Sequence, residues 1–101
     1  MTAKQRTDAG ITRAAFKHEV RTWARRIGVQ PKEVHLRQLK SKQASCSPKG
    51  RLTFSDSLLT TSAPIRTEAI VHELVHLKIP NHGKLFKRLV ASLLGSPHDH
   101  E

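Results

Sequence analysis

Apolar residues recur at helical spacing in three separate stretches of the chain. In the first, Phe16, Val20, Trp23, Ala24 and Ile27 fall three and four residues apart, with Lys17, Arg21, Arg25 and Arg26 between them. That spacing predicts an amphipathic helix over residues 11–27, buried on one side and basic on the other, with Trp23 as its core anchor. Gly28 suits a C-terminal cap, and Pro31 prevents the helix from resuming. Over residues 34–39 the period changes to two, through Val34 and Leu36 with His35 and Arg37 opposite, which predicts a strand. Residues 42–47 and 51–55 read as a hairpin around Ser47-Pro48-Lys49-Gly50, with Pro second and Gly fourth, as a type I turn prefers. Residues 56–63 are mostly polar and read as a loop. A second helix then starts, with Ser62 placed to cap it and Pro64 in its first turn. It carries Ile70, Val71, Leu74, Val75 and Leu77 until Pro80, Asn81 and Gly83 interrupt it. The third stripe is Leu85, Phe86, Leu89, Val90, Leu93 and Leu94, predicting a helix over 82–94 that Gly95 ends. The order predicts an α+β fold: an N-terminal helix, a small three-stranded sheet, a central helix and a C-terminal helix.

Length and charge narrow this further. With 101 residues the chain suits one domain over 11–95 with a modest core, preceded by a flexible polar lead-in over 1–10 and followed by a tail over 96–101. No run of eighteen apolar residues exists, so no membrane span is expected, and residues 1–10 lack the apolar segment of a secretion signal. A single cysteine, Cys46, precludes an internal disulfide and suits a reducing, cytoplasmic setting. Up to Arg51 there are thirteen Lys and Arg against three acidic residues, and five against five thereafter, so the net charge of +10 resides in the first half. Such a surface is either a solvated face or a binding surface for DNA or another polyanion.

The central helix carries the chemistry. It contains His72-Glu73-Leu74-Val75-His76, and His82 follows beyond the break. Residues four apart on a helix are offset by only about 40°, so His72 and His76 project from one face and can share an ion. Glu73 lies about 100° round from His72, in reach of a water beside such an ion rather than of the ion itself. A catalytic zinc keeps three protein ligands and one open position, and His82 is the third candidate once the chain turns back at Pro80. The expected set is one Zn2+ per chain on His72, His76 and His82, with Glu73 as general base. Burying two imidazoles and a carboxylate without such an ion would be costly.

His72-Glu73-Leu74-x-His76-Leu77, followed by Asn81-His82-x-x-x-Phe86, resembles the small YgjP-like and SprT-like metallopeptidases, a zincin group. The similarity extends over Phe16 to Leu94 through Trp23, Ser45-Cys46-Ser47, Gly50 and Pro64. Gln43-Ala44 stands where that family usually has Trp-Gly, and Lys87 where it often has Trp. The resemblance implies a minimal zincin-like fold, zinc-dependent hydrolysis of peptide or protein substrates, and an edge strand beside the active helix that binds substrate backbone. It also leads us to expect a second donor for the developing oxyanion. This chain has no Tyr, which leaves His35, Arg66 and His98 as candidates.

Competing readings exist for several residues. A metzincin would place Gly where Ile79 stands and needs a Met-turn, but Met1 is the only Met. A non-catalytic, zinc-stabilised basic module that binds nucleic acid is the alternative from another class. Glu68 reads as a first-turn acid favoured by the helix dipole, ahead of a hydrogen-bond acceptor for His72. Cys46 reads as a small buried side chain ahead of a metal-seeking thiolate, and His35 as a surface residue ahead of a fourth ligand. The His98-Asp99-His100-Glu101 tail is either disordered or folded over the cleft.

Overall fold

A computed structural model describes residues 10–95. The expected lead-in over 1–10, apart from Gly10, and the tail over 96–101 lie outside the described residues. Helix α1 is Arg13–Ile27, strand β1 Glu33–Arg37, β2 Ala44–Cys46 and β3 Arg51–Ser55; a 3-10 turn Asp56–Thr60 leads to α2, Ala63–His76, and α3 is Lys84–Leu94. The α+β order matches the hydrophobic pattern.

Local chemistry sets the boundaries. Thr12 caps α1, its hydroxyl accepting from the Ala15 N–H at 3.0 Å. Gly28 closes the helix in the left-handed conformation, and the Lys78 ammonium donates to the Ile27 carbonyl at 2.8 Å, covering one orphan acceptor of that terminus. The hairpin turn forms as its residues suggest. Gly50 N–H donates to the Ser47 carbonyl at 3.0 Å, and the Ser47 hydroxyl accepts from Lys49 and Arg51 N–H. Gly50 sits at φ 92°, a conformation that disfavours any side chain.

The sheet has the order β1-β3-β2. β2 pairs antiparallel with β3, with Ala44 opposite Phe54 and Cys46 opposite Leu52. β1 pairs parallel with β3, with Glu33 beside Arg51 and Arg37 beside Ser55. β2 is therefore an edge strand. Phe16, Val20, Ala24 and Ile27 of α1, Leu52 and Phe54 of β3, and Ile70, Val71, Leu74 and Val75 of α2 form one core. Phe16 meets Phe54 edge-to-face at 5.1 Å. Arg66 of α2 is buried and bonded to both carboxylate oxygens of Glu19 on α1, at 3.1 and 3.4 Å, and to the Thr61 carbonyl at 3.3 Å.

Several local expectations need correction. Residues 56–60 form a 3-10 turn instead of an open loop, because Leu58 is fully buried and anchors it. Trp23 is only half-buried, with Arg26 stacked 4.4 Å over its ring, so Phe16 and Val20 anchor α1 in its place. Ser62 precedes α2 but makes no side-chain cap bond, and Glu68 lies beyond the first turn. α3 begins at Lys84, two residues later than expected, and Leu85 is 66% exposed because the core-facing stripe turns away from it.

Candidate metal centre

α2 runs with its apolar side in the core, which leaves His72 and His76 half-buried on one flank. After His76 the helix unwinds. Lys78 and Ile79 N–H both return to the Val75 carbonyl, and Pro80 has no N–H to continue the ladder. The chain reverses and brings His82 back. His82 Nε2 lies 3.3 Å from His72 Nε2 and 2.8 Å from His76 Nε2. All three ligand atoms fall within 4.8 Å of one another. Two nitrogens held about 2.05 Å from one ion at a tetrahedral angle would be about 3.3 Å apart, so the donor set fits a small divalent cation.

One side chain supports the whole trio. Phe86, on the first turn of α3, is 3% exposed and packs its ring 5.0, 4.7 and 4.8 Å from the rings of His72, His76 and His82. Its apolar stripe position was legible, but its role beneath the imidazoles was not. The one sequence signal was the four-residue step from His82, which keeps Phe86 of the first turn of α3 close in sequence to the returning imidazole.

The electrostatics suit ligation. Burial, then the neighbouring imidazoles of His76 and His82, hold His72 below the usual histidine range, so the neutral ligand form is favoured. Glu73 is 9% exposed and no group among the described residues hydrogen-bonds to its carboxylate. Burial pushes its pKa up from the usual carboxylate range, while the charges of His82 and Lys42 pull the other way. A buried carboxylate without a partner among the described residues requires a reason, and a water or substrate atom in the adjoining cleft would supply one.

That cleft lies between α2 and β2. One part, about 580 Å³, is lined by residues 44–48 together with Glu73, His76 and Pro80; a smaller part, about 340 Å³, by Gln43, Ala44, Glu68 and Glu73. Ser55 N–H donates to the Gln43 carbonyl and Ser47 N–H to the Arg51 carbonyl. Hydrogen-bonded pairs alternate in an antiparallel ladder, so the N–H and C=O groups of Ala44 and Cys46 point away from β3, towards the free edge.

The other expected site residues fall elsewhere. His35 bonds to Glu33 at 2.7 Å on β1, the far edge of the sheet from β2. Arg66 is buried against Glu19, so neither supplies an oxyanion donor here, and His98 lies outside the described residues. Cys46 is half-buried and lines the cleft beside Glu73, and burial, followed by the Glu73 charge, raises its thiol above the usual range. It stays a thiol and outside the three-imidazole cluster. No described helix is long and apolar enough to cross a membrane.

The family of YgjP-like metallopeptidase domains matches residues 5–101. Among solved structures, the metallopeptidase zymogen abylysin of Pyrococcus abyssi superposes with a TM-score of 0.69 at 27% identity, over 77% of this chain and 78% of that one. No curated protein sequence matches the chain. A family match over nearly the whole length and a metallopeptidase of similar fold agree with the site geometry: the chain belongs to the YgjP-like metallopeptidase domain family.

Proposed function

We propose that this chain is a zinc-dependent peptidase with one ion held by His72, His76 and His82, and with Glu73 as its general base. The observation that carries the proposal is the convergence of three Nε2 atoms beside a buried carboxylate that has no hydrogen-bond partner among the described residues. When bound, the zinc supplies Lewis acidity, lowering the pKa of water and stabilising negative charge on the peptide carbonyl oxygen. The protein's own groups do the rest. Glu73 removes a proton from the attacking water as the new C–O bond forms, then delivers it to the amine nitrogen as the C–N bond breaks. An extended substrate pairs with the outward N–H and C=O groups of Ala44 and Cys46, which fixes the scissile bond across the imidazoles. Phe86 keeps the imidazoles in register. The lone Cys46 thiol fits a reducing, cytoplasmic setting.

The test is hydrolysis of a mixed peptide library by the metal-loaded protein. Glu73→Gln should retain one zinc per chain and lose activity at least about 100-fold. His82→Ala should lose both metal and turnover, and a chelator should stop the wild type. Undiminished cleavage by Glu73→Gln would refute the assignment.

A further inference from the structure

Two cavities beyond the end of β2 carry positive charge. Both adjoin the 580 Å³ part of the cleft, and Pro48 lines all three. One, of about 440 Å³, is bounded by Lys32, Lys49 and Lys78, and no acidic residue lines it. The other, of about 530 Å³, adds Arg51 and Glu33, and that carboxylate is already engaged by Arg51 at 3.0 Å and by His35 at 2.7 Å. Backbone contacts hold the lysines in place. Lys32 N–H donates to the Gly50 carbonyl at 2.8 Å, tying the approach to β1 to the hairpin turn that carries Lys49. Lys78 gives one hydrogen to the Ile27 carbonyl and has two more to offer. Neither Lys32 nor Lys49 has an ion-pair partner among the described residues. Three ammonium groups around one cavity repel one another, and an anion between them would relieve that repulsion.

The direction of β2 decides which part of a substrate meets them. β2 begins at Ala44, which shares a cavity with Glu68 and Ala69, and leads to Ser47, which shares another with His76, Leu77 and Pro80. It therefore runs the same way as α2. Antiparallel addition gives the more stable ladder, so a peptide on this edge runs from the Pro48 end towards Ala44. Ala44 shares both parts of the cleft with His72 and Glu73, so the cleaved bond lies at its level. Pro48 stands four residues further along, about 13 Å at the rise of a strand, level with the substrate residues about three to five before the cut.

Building on the peptidase reading above, we infer that this basic trough binds acidic side chains at the third to fifth residues before the cleaved bond. Its occupant is an acidic peptide segment and not nucleic acid, because the lysines lie in line with the edge on which the substrate backbone pairs. Each exposed ion pair contributes little alone, and several in succession add to a measurable preference.

The experiment uses the zinc-loaded full chain and two five-residue peptides that end in a hydroxamate, which takes the place of the cleaved bond. Both carry alanine at the two positions next to the hydroxamate. The third to fifth are glutamate in one and glutamine in the other. Calorimetry at low ionic strength should show the glutamate compound binding about tenfold tighter, and about 1 M salt should reduce this below about threefold. In Lys32→Glu/Lys49→Glu, with zinc content and thermal midpoint as folding controls, the order should reverse. Lys17→Glu/Arg21→Glu on α1 makes the same change in net charge at residues that line neither cavity, and should keep a preference of at least about fivefold. Equal binding of the two compounds, a preference that survives Lys32→Glu/Lys49→Glu, or an equal loss in the α1 variant would overturn the inference. So would a single-stranded DNA that binds more tightly than the glutamate compound and is released by the Lys32 and Lys49 changes. Glu73-dependent cleavage with equal hydroxamate binding would leave the peptidase reading standing without the trough. A glutamate preference that reverses as expected, with no peptide cleaved, would leave the trough standing without the peptidase reading. Absence of binding by either compound would overturn the inference, and peptide hydrolysis then judges the peptidase reading by itself.

Discussion

Phe86 brings one apolar ring against three imidazoles, and its loss should be felt twice. Phe86→Ala should cost about 3–5 kcal/mol of stability through the cavity it leaves. It should also weaken metal binding about 10–100-fold, because the rings lose the surface that orients them. Leu58→Ala, equally buried but remote from the imidazoles, should destabilise without the second effect. Competition titration against a chelator separates the two variants; equal metal affinities would remove Phe86 from its supporting role. His72 gives a pH signature in the metal-free protein. Its folded value lies below 6.5, so the unfolded chain binds the proton more readily. Stability is therefore retained above about pH 6.5 and lost as pH falls through the lowered folded value. With a chelator present, the urea midpoint of wild type should drop more between pH 7.5 and 5.5 than that of His72→Gln. An identical drop would mean that His72 is not held neutral by its surroundings.

At the scale of elements, β2 is short, half-buried and open on one edge, and its use should be separable from its fold. Ala44 N–H points away from β3, so Ala44→Pro removes a free donor and leaves the ladder to β3 whole. Zinc content should be unchanged, while kcat/KM on extended peptides should fall about tenfold, roughly one lost hydrogen bond to substrate. Unchanged kinetics would show that substrate does not pair with this edge. The helices were legible because their signals are local: Gly28 and Gly95 end α1 and α3, and Pro80 stops α2. So were the hairpin and the His72–His76 step, which depend on turn chemistry and helical period alone. The parallel pairing of β1 with β3 was not, since no residue pattern says which neighbour a distant strand will choose. Nor was the 3-10 turn, where one buried Leu58 outweighs the polar residues around it.

For the whole molecule, two regions of different charge meet at the cleft. The basic surplus is carried by the half that holds α1, β1 and β2, and ion pairs occupy part of it: Arg13 with Asp56 at 2.9 Å and Arg51 with Glu33 at 3.0 Å. The imidazoles belong to the balanced half. Net charge therefore gave no clue to the site, whereas the His-Glu-x-x-His spacing did. What spacing left open was whether His82 would return, because that depends on where α3 packs, and Phe86 is the contact that decides it. The most direct measurement is zinc K-edge X-ray absorption of the zinc-loaded protein. Three imidazole nitrogens and one further light atom at about 2.0–2.1 Å are predicted. A sulfur at about 2.3 Å, or only two imidazoles, would contradict the three-histidine centre.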